Sequence, residues 1–200
     1  MTNDECFNRL LMAVQNERSI SSTGYEPVFY LVYPPEKTFE VQKGFLRPFK
    51  NFLKENGHKP IVFDVYDEVW NILESYDDWQ DLCQALKQDP SMVSDLEPTI
   101  SELVDSPSGS ALLQRLRDAL KEAQECDDEK PVLLVTGLEA LHRITRPGTL
   151  EGRLTGEFAV PTIFFYPGTM EGGAGLSFLG FYTVDSNYRS EHFDLSEILK

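Results

Sequence analysis

Cysteine and histidine are scarce in this sequence, and both are scattered. Three cysteines and three histidines occur among 200 residues, with no C-x-x-C or H-E-x-x-H spacing. This distribution argues against a disulfide framework and against a zinc site, so we expect buried free thiols and neither a metal nor another cofactor. The cysteines are Cys6, Cys83 and Cys126, and the histidines are His58, His142 and His192.

Long apolar runs are also missing. No segment approaches the roughly 18 residues that a membrane-spanning helix needs. The first residues carry Asp4 and Glu5 ahead of a short apolar stretch, without the basic start of a signal peptide. We therefore expect a cytoplasmic protein. A length of 200 residues with a hydrophobic fraction of 41% fits one domain, residues 1–200.

Basic residues are outnumbered, with 18 Lys and Arg against 33 Asp and Glu and a net charge of −15. Direct binding to nucleic acid is therefore not expected, because it depends on cations that neutralise phosphates. From Asp64 to Asp105 there are twelve acidic residues and one base, Lys87. This acidic segment is either a solvated face or a docking surface for a basic partner. The docking candidates are Asp77, Asp78 and Asp81.

Apolar runs alternate with helical patterns along the chain. Four continuous runs, residues 27–35, 58–67, 130–137 and 160–168, have the composition of buried parallel strands. A fifth run, residues 176–184, follows the fourth after only a glycine-rich loop, which favours an antiparallel strand. Together with the helices, these runs predict a three-layer α/β fold with a mostly parallel central sheet of about five strands. The layout is P-loop-like.

The helical layers are predicted from apolar residues that recur every three or four positions. Pro48 must delay or kink the second helix. The polar tail after Asp185 is predicted to end in a short helix. The main helical segments are residues 3–14, 45–55, 67–103 in several pieces, and 110–124.

The stretch VPTIFFYPGTMEGGAG has the glycine spacing of a phosphate-binding loop without its chemistry. Gly168 and Gly173 are separated by four residues, but Ala174 and Gly175 stand where Lys and Ser or Thr are required. Glu171 within the loop would repel phosphate. A tight turn between two strands is therefore favoured over a nucleotide-hydrolysis site.

The third strand, LLVTGLE, resembles the strand that carries a magnesium-binding acid in ATPases. It ends at Thr136 without an Asp, and Glu139 comes two residues late, so a core strand and a turn are predicted. Asp64 and Asp67 at the end of the second strand suit a ribose or a metal, but helix capping explains them more simply.

A basic patch follows the third strand in this otherwise acidic sequence. In a parallel sheet, the loops at the carboxyl ends of the strands line the crevice where ligands bind. An anion or an acidic segment of a partner fits such a patch, and a set of helix-surface charges explains it equally well. The candidates are His142, Arg143, Arg146 and Arg153, with Thr136, Tyr166 and Gly168 at the strand ends.

Several short motifs follow one another in the second half of the chain. They are T-G-L-E-A-L, V-P-T-I-F-F-Y-P-G-T, L-S-F-L-G-F and N-Y-R. In this order they resemble the BrxB family of bacterial BREX phage-defence systems, over roughly residues 26–190. Tyr188 and Arg189 of the last motif are further binding candidates, although family members often have two tyrosines before the arginine.

The resemblance implies a role in a protein complex. BrxB proteins are small components encoded with a large ATPase, a methyltransferase and a PglZ protein, and the family has no established catalytic residues. We therefore expect a non-enzymatic adaptor that docks a PglZ-like protein or the ATPase through the acidic segment. The alternative is a regulatory domain that binds a nucleotide or anion without hydrolysis. A homodimer is compatible with the exposed edge strand.

Overall fold

The computed structural model describes residues 2–16, 26–106, 108–126, 130–172, 175–186 and 190–199. The strands are β1 (Val28–Tyr33), β2 (Lys59–Asp64), β3 (Pro131–Thr136), β4 (Thr162–Glu171), β5 (Gly175–Phe178), β6 (Asp185–Ser186) and β7 (Glu191–Asp194).

The helices are α1 (Asn3–Gln15), α2 (residues 38–55), α3 (Val65–Glu74), α4 (Trp79–Gln88), α5 (Val93–Asp105), α6 (Ala111–Glu125) and α7 (Pro147–Arg153). The helix α2 is a continuous run of Thr38–Glu40, a π-helical stretch Val41–Leu46, and Arg47–Glu55. The π-helical stretch comes immediately before Pro48, whose missing N–H interrupts the regular hydrogen-bond ladder. Short 3₁₀ turns are formed by Pro35–Lys37, Pro90–Met92 and Leu138–Leu141.

Five strands form the parallel part of the sheet, in the order β2-β3-β4-β1-β7. In its centre, β1 and β4 align Val28 with Thr162 and Tyr33 with Pro167. The end of β4 continues past β1 into an antiparallel ladder with β5, which in turn pairs with β6. The predicted α/β class with a mostly parallel sheet flanked by helices is thus confirmed.

Helices cover both faces of this sheet. Every residue of β1 is buried, and its side chains alternate between two separate apolar clusters. Phe29 and Leu31 pack with α1 and α2, whereas Tyr30 and Val32 pack with the helices from α3 onward. This two-sided burial explains why the strands read as continuous apolar runs rather than alternating ones.

The antiparallel strand predicted after the glycine-rich loop is confirmed, but its length and the conformation of the tail were predicted wrongly. The run at residues 176–184 yields only the short β5, because the chain turns at Leu179 and Gly180, both with left-handed backbone (φ +54° and +73°). The tail, predicted to be polar with a helical end, contains β7 as the fifth parallel strand. Only Phe193 of β7 is fully buried, so this edge strand has almost no apolar pattern.

The predicted turn after the fourth strand is a β-hairpin formed by β4 and β5. Gly168 lies within β4, opposite Phe178, rather than in a loop that opens a helix. A Cβ atom at this position would lie 2.3 Å from the Ser177 carbonyl oxygen and 2.6 Å from the Tyr166 ring. The glycine at position 168 therefore permits the two strands to approach closely. Gly173, the second glycine of the phosphate-loop spacing, is outside the described residues.

Gly168→Ala should destabilise the fold by about 2 kcal/mol, the usual cost of forcing extra volume into a packed site. Urea unfolding followed by circular dichroism measures this change. Gly148→Ala is the matched control, because a Cβ at Gly148 meets nothing within 4 Å and its helical position favours alanine. Equal stability of the two variants would contradict the close approach at Gly168.

Candidate functional site

The carboxyl edge of the sheet joins β2, β3 and α3 through one carboxylate. Asp64 Oδ1 accepts hydrogen bonds from the backbone N–H groups of Tyr66 (3.0 Å) and Asp67 (3.3 Å), and Oδ2 accepts one from the Thr136 hydroxyl (2.7 Å). Both carboxylate oxygens therefore act in helix capping and strand pairing, as the capping interpretation predicted. The Thr136 hydroxyl is thus engaged by Asp64 in this arrangement.

A glycine is required at the turn that follows Thr136. Gly137 has left-handed backbone (φ +68°), and a Cβ there would lie 2.6 Å from Asp64 Oδ1 and 2.9 Å from the Tyr66 nitrogen. The turn consequently holds the start of α3 against the end of β3. It is followed directly by the 3₁₀ turn Leu138–Leu141, which carries Glu139.

Glu139, predicted to lie in a turn because it comes two residues late, is a half-buried carboxyl group. Its Oε2 atom is buried and has no hydrogen-bond partner among the described residues. Burial raises the pKa of Glu139, its own backbone N–H opposes the rise, and the Asp64 charge adds to it. Burial, followed by the charge of Glu139, also raises the pKa of the Tyr33 phenol. The three groups therefore share one edge of the sheet.

The three predicted arginines each contact a carboxylate from another element. Arg143 pairs with Glu97 of α5, and Arg153 pairs with Asp105 at the end of the same helix (2.6 Å). The two partners are eight residues apart, which is about 12 Å along a helix. Arg146 contacts Asp185 of β6 (3.4 Å) and the Thr183 hydroxyl (3.1 Å). Arg153 therefore lies apart from Arg143, and the three arginines do not converge on one pocket.

Tyr182, which the sequence did not single out, brings three of the predicted residues together. Its hydroxyl accepts a hydrogen bond from the Arg143 backbone N–H (3.2 Å) and lies 2.9 Å from His142 Nδ1. The Arg146 guanidinium lies over its ring, 5.1 Å from the centroid. Arg143 has left-handed backbone (φ +65°), a strained conformation that these contacts hold in place.

Tyr166 and Gly168 do not lie on an open recognition loop. The Tyr166 ring is buried between Tyr30 and Phe178, with ring centroids 5.5 Å and 5.7 Å away. Burial raises the pKa of Tyr166, and the Asp185 charge adds to the rise, while Arg146 opposes it. The candidates Tyr188 and Arg189 lie outside the described residues.

An open depression of about 460 Å³ lies at the start of α6. Ser110, the cap of this helix, lines it together with Arg117 and Arg153. Such an arrangement suits an anion, but Arg117 already makes two hydrogen bonds to Glu157 (2.6 and 2.9 Å), and Arg153 is bound to Asp105. Both guanidinium groups therefore have carboxylate partners within the protein.

The acidic segment is divided by its contacts into two groups. Three of its carboxylates, Glu68, Glu97 and Asp105, pair with Arg115, Arg143 and Arg153 respectively. A second group is exposed and, in the ranges that the structure describes, forms no ion pair. Its members are Asp67, Glu74, Asp77, Asp78 and Asp81 around α3 and the start of α4, and Asp89, Asp95 and Glu102 farther along the segment.

Several further features bear on the predicted absences. All three cysteines are free, but only Cys6 is fully buried, since Cys83 on α4 and Cys126 just after α6 are half-buried. Burial raises the pKa of Cys6 to about 11.

Over the described parts of the chain, no group of three or more His, Cys, Asp or Glu side chains is placed to hold a metal ion. No helix among those described is long and apolar enough to cross a membrane.

Arg153→Ala should lower the free energy of unfolding by about 2 kcal/mol, because the partner Asp105 has a side chain only 7% exposed and would be left unpaired. Arg143→Ala is the matched comparison, since both members of its ion pair are more exposed (59% and 34%) and such pairs contribute about 0.5 kcal/mol. Urea unfolding compares the two variants. A larger loss for Arg143→Ala would contradict this assignment of the ion pairs.

Glu139→Gln should stabilise the protein at pH 8 by about 1 kcal/mol, because it removes a charge that is poorly solvated in the fold. The pKa of Glu139 is raised on folding, so the folded state binds the proton more tightly. Stability is therefore lost as the pH rises from the ordinary carboxyl range through the raised pKa. Thermal unfolding between pH 5 and 8 should show a variant advantage that grows with pH. Glu36→Gln, at an exposed position, should show no such trend.

A comparison with protein families finds a family model that matches most of the chain. The family model described as BREX protein BrxB matches residues 61–193, more than half of the chain. This range contains the T-G-L-E-A-L, F-Y-P-G-T and L-S-F-L-G-F motifs, so the resemblance is confirmed from residue 61 onward, while β1 lies outside it.

The other comparisons add little. Curated proteins yielded no match. The solved structure of C. elegans PCH-2 aligns with 95% of this chain and 41% of that chain, at 12% identity and a TM-score of 0.42. This chain thus spans less than half of that protein, and a similarity at this TM-score informs neither fold nor function. On the family match, the chain belongs to the BrxB family, and this membership implies a component of a BREX phage-defence system.

Proposed function

We propose that this chain is a non-enzymatic interaction subunit of a BREX complex that docks a PglZ-like protein or the large ATPase. Family membership suggests association with other BREX proteins. The observation that carries the proposal is a run of exposed carboxylates from α3 to the start of α4 that form no ion pair in the described structure. They are Asp67, Glu74, Asp77, Asp78 and Asp81. A surface of one charge sign attracts a partner of the opposite sign and accelerates its association.

The carboxyl edge of the sheet supports the non-enzymatic part of the proposal. Parallel α/β proteins commonly bind ligands there. In this chain, Asp64 and Thr136 bind each other and the start of α3. Asp64 and Thr136 therefore hold the end of the sheet and the start of α3 together.

The regulatory nucleotide- or anion-binding alternative has weaker support. It requires Arg143, Arg146 or Arg153 to replace the lysine of a phosphate loop. Each of these side chains already contacts a carboxylate, so an anion would have to displace that contact. The adaptor proposal requires no such displacement, because its acidic residues are exposed and unpaired as far as the structure describes them.

The chain should elute as one complex with a co-expressed PglZ-like protein or ATPase of the same BREX system. Reversing the charge at Asp77, Asp78 and Asp81 to Lys should weaken that complex at least tenfold and reduce its sensitivity to salt, because the acidic surface then repels the partner. Size-exclusion chromatography and a binding titration at two salt concentrations measure both effects.

The matched control is the triple substitution of Glu55, Glu122 and Glu125 by Lys. It changes the net charge by the same amount, but these exposed residues lie at the ends of α2 and α6 and not on α3 or α4. Equal weakening by both triple variants would mean that only net charge matters. Separate elution of the unmodified chain from both partners at micromolar concentration would refute the adaptor proposal.

A further inference from the structure

Two large aromatic side chains are exposed on one face of α3. Tyr66 is 59% exposed and Trp70 is 44% exposed, and the spacing of four residues places them one above the other on the helix. Exposed apolar residues that occur singly are common on protein surfaces. An adjacent tyrosine and tryptophan are less usual, and these two residue types are enriched among those that dominate binding energies.

The fold holds this aromatic pair in place. The Trp70 ring packs edge-to-face against Trp79, with centroids 5.8 Å apart, and Trp79 is itself buried. The start of α3 is fixed by the Asp64 cap and by the close approach of Gly137 to the Tyr66 backbone. A partner that binds here therefore meets side chains on a rigid helix, which reduces the entropy lost on binding.

Negative charges lie on the helix that carries the aromatic pair and continue along the chain after it. Asp67 and Glu74 lie on the same helix, and Asp77, Asp78 and Asp81 follow at its end and at the start of α4. The arginine that reaches α3, Arg115, is bound to Glu68. We call the set of Tyr66, Trp70 and these five carboxylates the aromatic–acidic surface.

We infer that the aromatic–acidic surface docks a cationic segment of another BREX protein, one that carries Arg or Lys beside an apolar side chain. The inference rests on the proposed adaptor function and names the surface and the chemistry of the partner. Guanidinium and ammonium groups bind to the faces of Trp and Tyr rings, and the surrounding carboxylates attract the same cations. An apolar neighbour in the partner would cover the remaining ring surface.

Charge also argues against a second copy of this chain as the occupant. In a two-fold symmetric dimer the same patch meets itself, so five carboxylates would face five carboxylates. With a net charge of −15, that arrangement is repulsive at long range as well. A basic partner neutralises the same surface instead.

The test uses the full chain and the purified PglZ-like protein and ATPase of the same BREX system. Tyr66→Ala and Trp70→Ala should each weaken binding to one of these partners tenfold or more, as for central aromatic residues of an interface. Trp70→Phe should stay within about threefold of the unmodified chain, because it keeps the contact with Trp79. Phe39→Ala is the control, since Phe39 is 64% exposed but lies on α2, on the other face of the sheet.

Site-specific photo-crosslinking gives a second measurement that tolerates a partly destabilised variant. A benzophenone side chain at position 66 should crosslink to the partner, and one at position 39 should not. Circular dichroism of each variant identifies any loss of fold. If an alanine variant unfolds, the crosslinks at positions 66 and 39 take its place in the comparison.

The outcomes separate this inference from the proposed function. If the partner binds but the Tyr66 and Trp70 variants behave like Phe39→Ala, and crosslinks form only at position 39, the surface is wrong and the adaptor function stands. If neither partner binds the unmodified chain, the adaptor function fails and this inference fails with it. If Trp70→Ala only turns a dimer into monomers, the surface joins two copies and the inference is overturned.

Discussion

Coverage of the β1–β4 pair on both faces is the constraint on which the rest of the structure depends. These two strands form the centre of the sheet, and all of β1 and most of β4 are buried. Two layers of helices are needed to exclude water from them, and the chain supplies α1 and α2 for one face and α3 to α7 for the other. The continuous apolar composition of the strands therefore requires the three-layer architecture, because only helices on both faces bury such strands.

The continuation of β4 beyond the parallel sheet explains why the glycine-rich stretch does not form a phosphate loop. A phosphate loop requires the strand to end and a helix to begin, so that backbone N–H groups point at the ligand. Here β4 continues past the parallel sheet and pairs with β5, and Gly168 allows the two strands to approach closely. The backbone groups near Gly168 are used in this ladder. The stretch thus extends the sheet at the edge where a nucleotide would otherwise bind.

Electrostatic partners give the acidic segment two different roles. Carboxylates at Glu68, Glu97 and Asp105 pair with arginines on α6 and α7 and in the segment between β3 and α7, and so tie α3 and α5 to the later part of the chain. The exposed carboxylates near Trp70 have no comparable contact within the described residues. An excess of acid over base is costly to gather on one surface, because like charges repel. A cationic partner would remove that cost, which connects the charge of the chain with the proposed adaptor role.

Local sequence by itself determined most of the secondary structure. The apolar strands, the caps at Thr2 and Asp64 and the class of fold depend on periodicity and on contacts between residues close in the chain. Strand β7 could not be predicted in this way, because a short edge strand with one buried residue has no periodic apolar pattern.

Only the tertiary structure decided the fate of the candidate site residues. Arg143 and Glu97 are 46 residues apart, and Arg153 and Asp105 are 48 apart, yet each pair is in contact. Tyr182 joins His142 and Arg143 from 40 and 39 residues away, and Trp70 rests on Trp79 at the surface. Charge pairing and exposure depend on distance in space, which packing sets, whereas the spacing of residues along the chain leaves it open.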